Sequence, residues 1–541
     1  MTHPASHLSR RSVLRLGAMG AVAGLAGPGL AGCGSSRSGS AGPATTVTPT
    51  TVAPLDPAAW QQLATSLNGH LVRPGDPTYL VDLQLYDPRY DGVRPAGIAY
   101  CASPADVARC VAFARHHDLA LAARSGGHSY GGYSTTTGLV VDVTGMHAVQ
   151  VGGPGDASGS VPAGQVTVGA GARLIDVYSG LNAQGVSIAG GSCATVGIAG
   201  LTLGGGQGVI GRLHGLTCDQ LRAVQLVTAD GQLRTVSASQ DPDLFWACQG
   251  GGGGNFGIAT SFTFDTFAVG DVCTFAVVFP WAAASQVLPA WLAWAPHAPD
   301  ELWANCVLLV NPTSQPTRPL VQVAGVYVGP TSTATSLVNQ FVASVGTSPV
   351  SQGVYPTSLA HAMYVEAGCA QLSQAQCHLP SQAAGGQLTR LAAMAKSQYV
   401  TGPLSDSTVA TLVAGLDERQ GAPGATESGV NFDAYGGAIN RVAPGATAFV
   451  HRNTLACAQF TASVGVGEPA ATTAASQAWL DRISRSVHDQ LAPQAYQNYI
   501  DPTMADWKSE YYGSNLARLQ RVKASVDPDD VFHFAQSIPL P

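Results

Sequence analysis

The sequence predicts an α+β protein of two domains, and three observations carry that expectation. The chain is 541 residues long, more than one hydrophobic core usually organises. Short strand-like and helix-like runs alternate through its first half, as a mixed sheet with packed helices requires. Near residue 272 the pattern changes and a second alternation begins. The apolar fraction, 45%, is enough to fill both cores.

The elements follow in order. Ile98 to Cys101 reads as a strand, and Pro104 to His117 as a helix capped by Ser103. Leu119 to Ala123, Leu139 to Val143, Val166 to Val168 and Val186 to Ala189 read as further strands, with a helix at Leu174 to Gln184. Beyond the change, Ser285 to Ala295 and Leu388 to Lys396 read as helices. Val307 to Val310, Leu320 to Tyr327 and Thr447 to Phe449 read as strands. The expected division is a first domain over 58–271, a second over 272–490, and a segment, 491–541, that returns to the first.

Residues 1–33 read as a targeting segment. Ser9-Arg10-Arg11-Ser12-Val13-Leu14 is a twin-arginine pattern. The apolar run from Leu16 to Leu30 holds five glycines and a proline, which suits a signal peptide better than a spanning helix. Leu30-Ala31-Gly32-Cys33 resembles a lipoprotein cleavage site, with Cys33 as the lipid-bearing residue; an ordinary signal peptide cut nearby is the alternative. The Ser/Thr/Pro/Gly-rich stretch 34–57 reads as a flexible tether. The protein is thus expected outside the cytoplasm, touching membrane only through a lipid on Cys33. Of eleven cysteines, Cys101 with Cys110 and Cys369 with Cys377 are the closest pairs, with connectivity left open.

Charged residues make up only 11% and the formal net charge is -7, with no basic stripe, so nucleic acid is not an expected partner. The histidines lack ligand spacing with cysteine or carboxylate, so no metal site is expected.

Glycine is unevenly placed. It clusters at Gly126-Gly127 beside His128, Gly190-Gly191 beside Cys193, Gly204-Gly205-Gly206, and Gly250 to Gly254. Such runs let backbone N–H groups approach a pyrophosphate. None has the strand–GxGxxG–helix setting of a Rossmann site.

Arg124-Ser125-Gly126-Gly127-His128-Ser129-Tyr130 and Gly191-Ser192-Cys193-Ala194-Thr195-Val196-Gly197 resemble the paired signatures of the berberine-bridge-enzyme-like oxidases, in the vanillyl-alcohol-oxidase superfamily. The likeness runs through Gly200 to Gly206, Asp243-Leu244-Phe245-Trp246, Gly250 to Gly257, Gly436-Gly437 and Phe449-Val450-His451-Arg452. It ends in Asn498-Tyr499-Ile500-Asp501, Tyr511 to Asn515 and the tail from Asp527-Pro528 to Ile538.

The resemblance implies a two-domain FAD-binding fold of the PCMH type, whose second α+β domain is built on an antiparallel sheet. It implies FAD bound covalently to His128 and Cys193, an imidazole and a thiolate 65 positions apart. Around the cofactor it places Arg124, Ser125, Gly126, Gly127, Ser129, Gly191, Ser192, Thr195, Val196, Gly197, Gly200, Gly204, Gly205, Gly257, Ile258 and Tyr499. Tyr499 falls where alcohol-oxidising relatives carry the base, and an ordinary phenol, with a pKa near ~10, must be activated to serve as one. Tyr130 and Gln459 match substrate-side positions, Gln207 stands where several relatives carry a second tyrosine, and Asp433 is a candidate partner for Tyr499. Val196, small, stands where relatives control oxygen access, which implies an oxidase releasing hydrogen peroxide. The expected partners are therefore a small-molecule alcohol, a sugar above all, and O2. Three alternatives stay open: a secondary-metabolite tailoring enzyme that closes rings or oxidises amines, a non-catalytic surface binding protein, and a non-covalent FAD reductase of related fold.

Overall fold

In the computed structural model, which describes residues 55–152, 164–311 and 319–541, eighteen strands form three main sheets and one small ladder. The targeting segment, Cys33 and all but the end of the tether lie outside the described residues.

The first sheet holds β1 (His70–Val72), β2 (Gly97–Tyr100), β3 (Leu121–Arg124) and β4 (Leu139–Asp142) in the order β1-β2-β4-β3. The pairs β2·β4 and β3·β4 are parallel. Parallel strands need a crossover connection, and helix α1 (Pro104–His116) supplies one between β2 and β3, which flank β4. Ser103 caps that helix by accepting from the Asp106 amide, and Val107, Cys110, Val111 and Ala114 form its buried face.

The second sheet is antiparallel, ordered β5 (Val149–Val151), β6 (Gln165–Gly169), β10 (Ile258–Asp265), β8 (Leu221–Val227), β9 (Leu233–Ser237). Helix α2 (Leu174–Asn182) follows β6, and β7 (Val186–Ser187) pairs with β11 (Phe267–Ala268).

The third sheet has seven antiparallel strands: β15 (Ser351–Thr357), β12 (Val272–Pro280), β14 (Leu320–Val328), β13 (Leu302–Val310), β17 (Ala425–Ala434), β18 (Ala456–Val464) and β16 (Ala392–Val400). Every residue of β13 and β18 is buried, so both faces of the sheet are covered. Helices α3 (Ala284–Trp294), α4 (Thr331–Val345), α6 (Asp406–Asp417) and α7 (Ala470–Val487) pack on one face. The other face turns toward the first two sheets. There helix α5 (Leu359–Glu366) packs against α2.

The last stretch, with α8 (Leu516–Val526), lies against the glycine loops. Asn498 Nδ2 donates to the Leu201 carbonyl at 3.0 Å, and Gln497 Nε2 donates to that of Gly250. The fully buried Lys523 ammonium reaches the Asn255 carbonyl at 3.1 Å and the Asp527 carboxylate at 2.6 Å.

Two expected elements are corrected. Leu388 to Lys396 is not a helix: its alanine, leucine and methionine favour helix locally, but the strand Ala392–Val400 pairs along its whole length with β18, and tertiary pairing overrides propensity. Thr447 to Phe449 is not a strand. Its carbonyls are taken by side chains instead of a ladder: Asn515 Nδ2 donates to Thr447 and Ala448 at 3.1 and 3.2 Å. Cys369 and Cys377 form a disulfide. Cys101 and Cys110 are both free, their sulfurs 3.9 Å apart.

Candidate active site

A cavity of about 690 Å³ separates the glycine loops from the inner face of the seven-stranded sheet. Its two walls are built by different means.

On the first wall the His128 and Cys193 loops interlock. Gly126 lies so close to the second loop that a Cβ there would stand 2.2 Å from the Gly197 nitrogen. His128 Nε2 is 2.8 Å from Thr195 Oγ1, and Tyr86 stacks on the imidazole with ring centres 4.0 Å apart. The Cys193 loop is tied to α2, since the amides of Leu174 and Ile175 donate to the carbonyls of Val196 and Ala194 at 3.0 and 3.1 Å. Tyr178 Oη donates to the Gly191 carbonyl at 2.8 Å. Ser125 Oγ donates to the Ala170 carbonyl at 2.7 Å. Ser129 Oγ accepts from the Tyr133 amide at 3.2 Å. Arg124 is buried against Asp142 at 2.6 Å. Both reactive side chains therefore open on one space, although they come from separate loops.

Burial, then the charge of Arg173, push the His128 imidazole down to about 3. It is neutral near pH 7 and keeps a nucleophilic lone pair. The Cys193 thiol is shifted the opposite way, upward. It faces the cavity, yet the dense surrounding protein raises its pKa, with Asp433 and Glu366 adding to the rise and a Ser192 hydrogen bond opposing it.

On the second wall, antiparallel register places Asn305 opposite Asp433 and Asn431 opposite Gln459. Paired residues share a face, and these four line the cavity. Gln459 Nε2 donates to Tyr130 Oη at 3.1 Å, and the Tyr130 ring stands edge-on to Tyr499, 6.1 Å between centres.

Gln207 organises the rest. Its Nε2 donates to Tyr499 Oη at 2.7 Å and to Asp433 Oδ2 at 2.9 Å, while its Oε1 accepts from Tyr435 Oη at 2.9 Å. Asp433, an acceptor on this side, fixes which end of the amide faces it. Asn431 Nδ2 also donates to Asp433, at 3.1 Å. Asp433 thus reaches Tyr499 through Gln207.

The electrostatics are unusual. Burial raises the Asp433 carboxyl to about 6 against the opposing bonds from Asn431 and Gln207. Burial, then Asp433, raise Glu366 at the end of α5 to about 8. Burial and then Asp433 raise the Tyr499 phenol well above its ordinary value. The expected activation is therefore not supplied by a neighbouring cation. The group that favours the phenolate is the Gln207 amide, a donor to the phenol oxygen.

Among residues expected around a cofactor, Arg124 to Ser129, Gly191, Ser192, Cys193, Thr195 to Gly197, Gly200, Gly257, Ile258 and Tyr499 line the cavity. Gly204 and Gly205 do not. A Cβ on Gly204 would meet Asn498 Oδ1 at 1.9 Å, and one on Gly205 would meet the Phe449 ring at 2.7 Å, so these glycines serve packing behind the wall. Tyr86, Asn431, Tyr435 and Glu366 belong to the site and were not foreseen. Tyr435 immediately precedes the glycine pair Gly436-Gly437, and Asn431 lies two residues before Asp433, a strand period that would have exposed it. Nothing in the sequence marks Glu366. Among the described residues no cluster of His, Cys, Asp and Glu could hold a metal.

The walls fit FAD. A Cβ on Gly200 would meet nothing within 4 Å, which leaves open space before its backbone. The nucleophiles His128 and Cys193 share that space, and its volume suits a large organic cofactor.

Comparison with known proteins agrees. Residues 95–237 match a family model described as FAD binding domain, and 495–539 match one described as berberine and berberine like. An FAD-linked oxidoreductase of Bacillus subtilis, YgaK, is 31% identical over 88% of this chain and 98% of its own length. The solved structure of Physcomitrella patens BBE-like 1 superimposes with a TM-score of 0.79 at 31% identity, over 89% of this chain and 99% of that one. Chitooligosaccharide oxidase of Gibberella zeae is 28% identical over 82% and 87% of the two chains.

Proposed function

The chain belongs to the berberine-bridge-enzyme-like FAD-linked oxidoreductases, and from that premise we propose that it is an exported oxidase of a carbohydrate hydroxyl, with FAD held covalently by His128 and Cys193. One observation carries the reading: an imidazole, a thiol and a phenol from three separate segments open on one cavity, whose far wall is lined by amides and a carboxylate. Bound FAD supplies a two-electron, hydride-type acceptor; the remaining work falls to the chain.

His128, kept neutral by its dense surroundings and by Arg173, and Cys193 would hold the cofactor. Tyr130 Oη, itself held by Gln459, and the sheet amides orient a hydroxyl-rich substrate. Tyr499, once deprotonated, takes the proton of the reacting hydroxyl. Gln207 donates to the phenolate oxygen and so favours that deprotonated form, and Asp433 and Tyr435 keep the amide in one orientation. The half-buried Val196 lines the cavity, and its small side chain supports dioxygen as final acceptor, with hydrogen peroxide as coproduct. The likeness to a chitooligosaccharide oxidase supports a saccharide substrate. Arg10-Arg11 and Cys33 support export with a lipid anchor.

Peroxide release from purified protein against mono- and oligosaccharides tests this reading. Turnover of at least one reducing sugar is expected. Yellow protein inert toward every sugar, yet active on a non-sugar alcohol or amine, would replace the saccharide assignment with the tailoring one.

A further inference from the structure

Nearly every charged group on the cavity wall already has a partner. Arg124 holds Asp142, Arg390 holds Asp91, and His533 holds Asp530. Asp433 accepts from Asn431 and Gln207, and Glu427 is engaged as well. Glu366 differs. It lines the cavity at only 7% exposure, and among the described residues its carboxyl has no hydrogen-bond or ion-pair partner. No lysine lines the cavity.

A buried acid without a partner is costly to keep. A neutral sugar would not call for one, since an amide or hydroxyl binds hydroxyls with far less desolvation. Two acids in one cavity, Glu366 and Asp433, lack a cation. Asp433 disfavours ionisation of Glu366, which is the arrangement a positive ligand relieves.

We propose that Glu366, together with Asp433, forms a subsite for a protonated amino group, so that the preferred substrate is a hydroxyl compound bearing a free amine, such as a de-N-acetylated amino sugar. An ammonium there would let both acids ionise and would give Glu366 its missing partner. A carboxylate would bring negative charge beside two acids that already oppose each other's ionisation. Glu366 is thus a specificity-determining residue, fixed by α5, whose packing against α2 also ties it to the loop of Cys193. The inference rests on the reading that substrate is oxidised in this cavity.

The test compares tetrasaccharides of β-1,4-glucosamine, β-1,4-glucose and galacturonic acid on the flavin-loaded full chain, wild type and Glu366→Gln. Binding is read by thermal shift and oxidation separately by peroxide release. Wild type is expected to bind the amino tetramer most tightly and the acidic one least. Glu366→Gln should weaken the amino tetramer by at least roughly tenfold and shift the neutral one by less than about threefold. Equal binding of amino and acidic tetramers by wild type, no shift with the amino tetramer, or an unchanged amino preference in Glu366→Gln would each overturn the subsite. Binding selectivity without peroxide would uphold the subsite and sink the oxidase reading. Peroxide without selectivity would do the reverse.

Discussion

The two walls of the cavity are equally close to the chemistry but made under different constraints. The glycine-loop wall depends on backbone: Gly126 touches Gly197 where no side chain fits, so each position admits one residue and a motif is written into the chain. The sheet wall depends on alternation alone. Asn305, Asn431, Asp433 and Gln459 meet because antiparallel register puts them on one face, and another polar set would fold as well. The glycine-loop wall is therefore recognisable from sequence, while the sheet wall becomes visible only after folding.

This difference can be broken or sharpened by substitution, beginning with the largest effect. Tyr499→Phe should lower kcat by about 10²- to 10⁴-fold, as loss of a general base does, while leaving the flavin spectrum in place. Loss of the flavin instead would make Tyr499 part of the cofactor wall.

The pH profile separates the candidate bases. If Tyr499 acts, kcat/KM should still climb above pH 8, because its phenol is raised well above the ordinary value. If Asp433 were the base, the profile would level off above about 6.

Stability in acid comes next. His451 is buried, stacked on Tyr399 and bound to Gln494, and burial lowers it to about 4 from 6.5. A depressed imidazole stabilises the fold above the unfolded value and loses that contribution as pH falls from 6.5 toward 4. Thermal unfolding of the wild type should show a loss of about 3 kcal/mol from this residue over that window, a slope that should flatten in His451→Gln.

Gly126→Ala should cost about 1–3 kcal/mol through overpacking and reduce flavin loading, read as the ratio of visible to ultraviolet absorbance. Gln207→Leu, on the side facing the sheet, should spare loading and lower kcat/KM by about tenfold, the value of one lost charge-assisted hydrogen bond. If the two variants exchanged phenotypes, the division between walls would fail.

Legibility followed the same line. The strand–helix–strand start was readable because Ser103 caps α1 and alternation is local. Ala392–Val400 was misread because its helix-favouring residues are drawn into a strand by distant β18. His128, Cys193, Tyr130 and Tyr499 stand in motifs, and all four line the cavity. Gly204 and Gly205 were overread, since a glycine kept for packing against Asn498 or Phe449 looks in sequence like one kept for a ligand. Glu366 was invisible, because its importance comes from what it lacks, a partner, and that is a property of the folded cavity.

The most direct test of the account is acid precipitation of the purified yellow protein, followed by mass analysis of its proteolytic peptides. The account predicts that colour stays with the pellet and that one flavin mass bridges the peptides containing His128 and Cys193. Flavin released entirely to the supernatant, with both peptides unmodified, would contradict it.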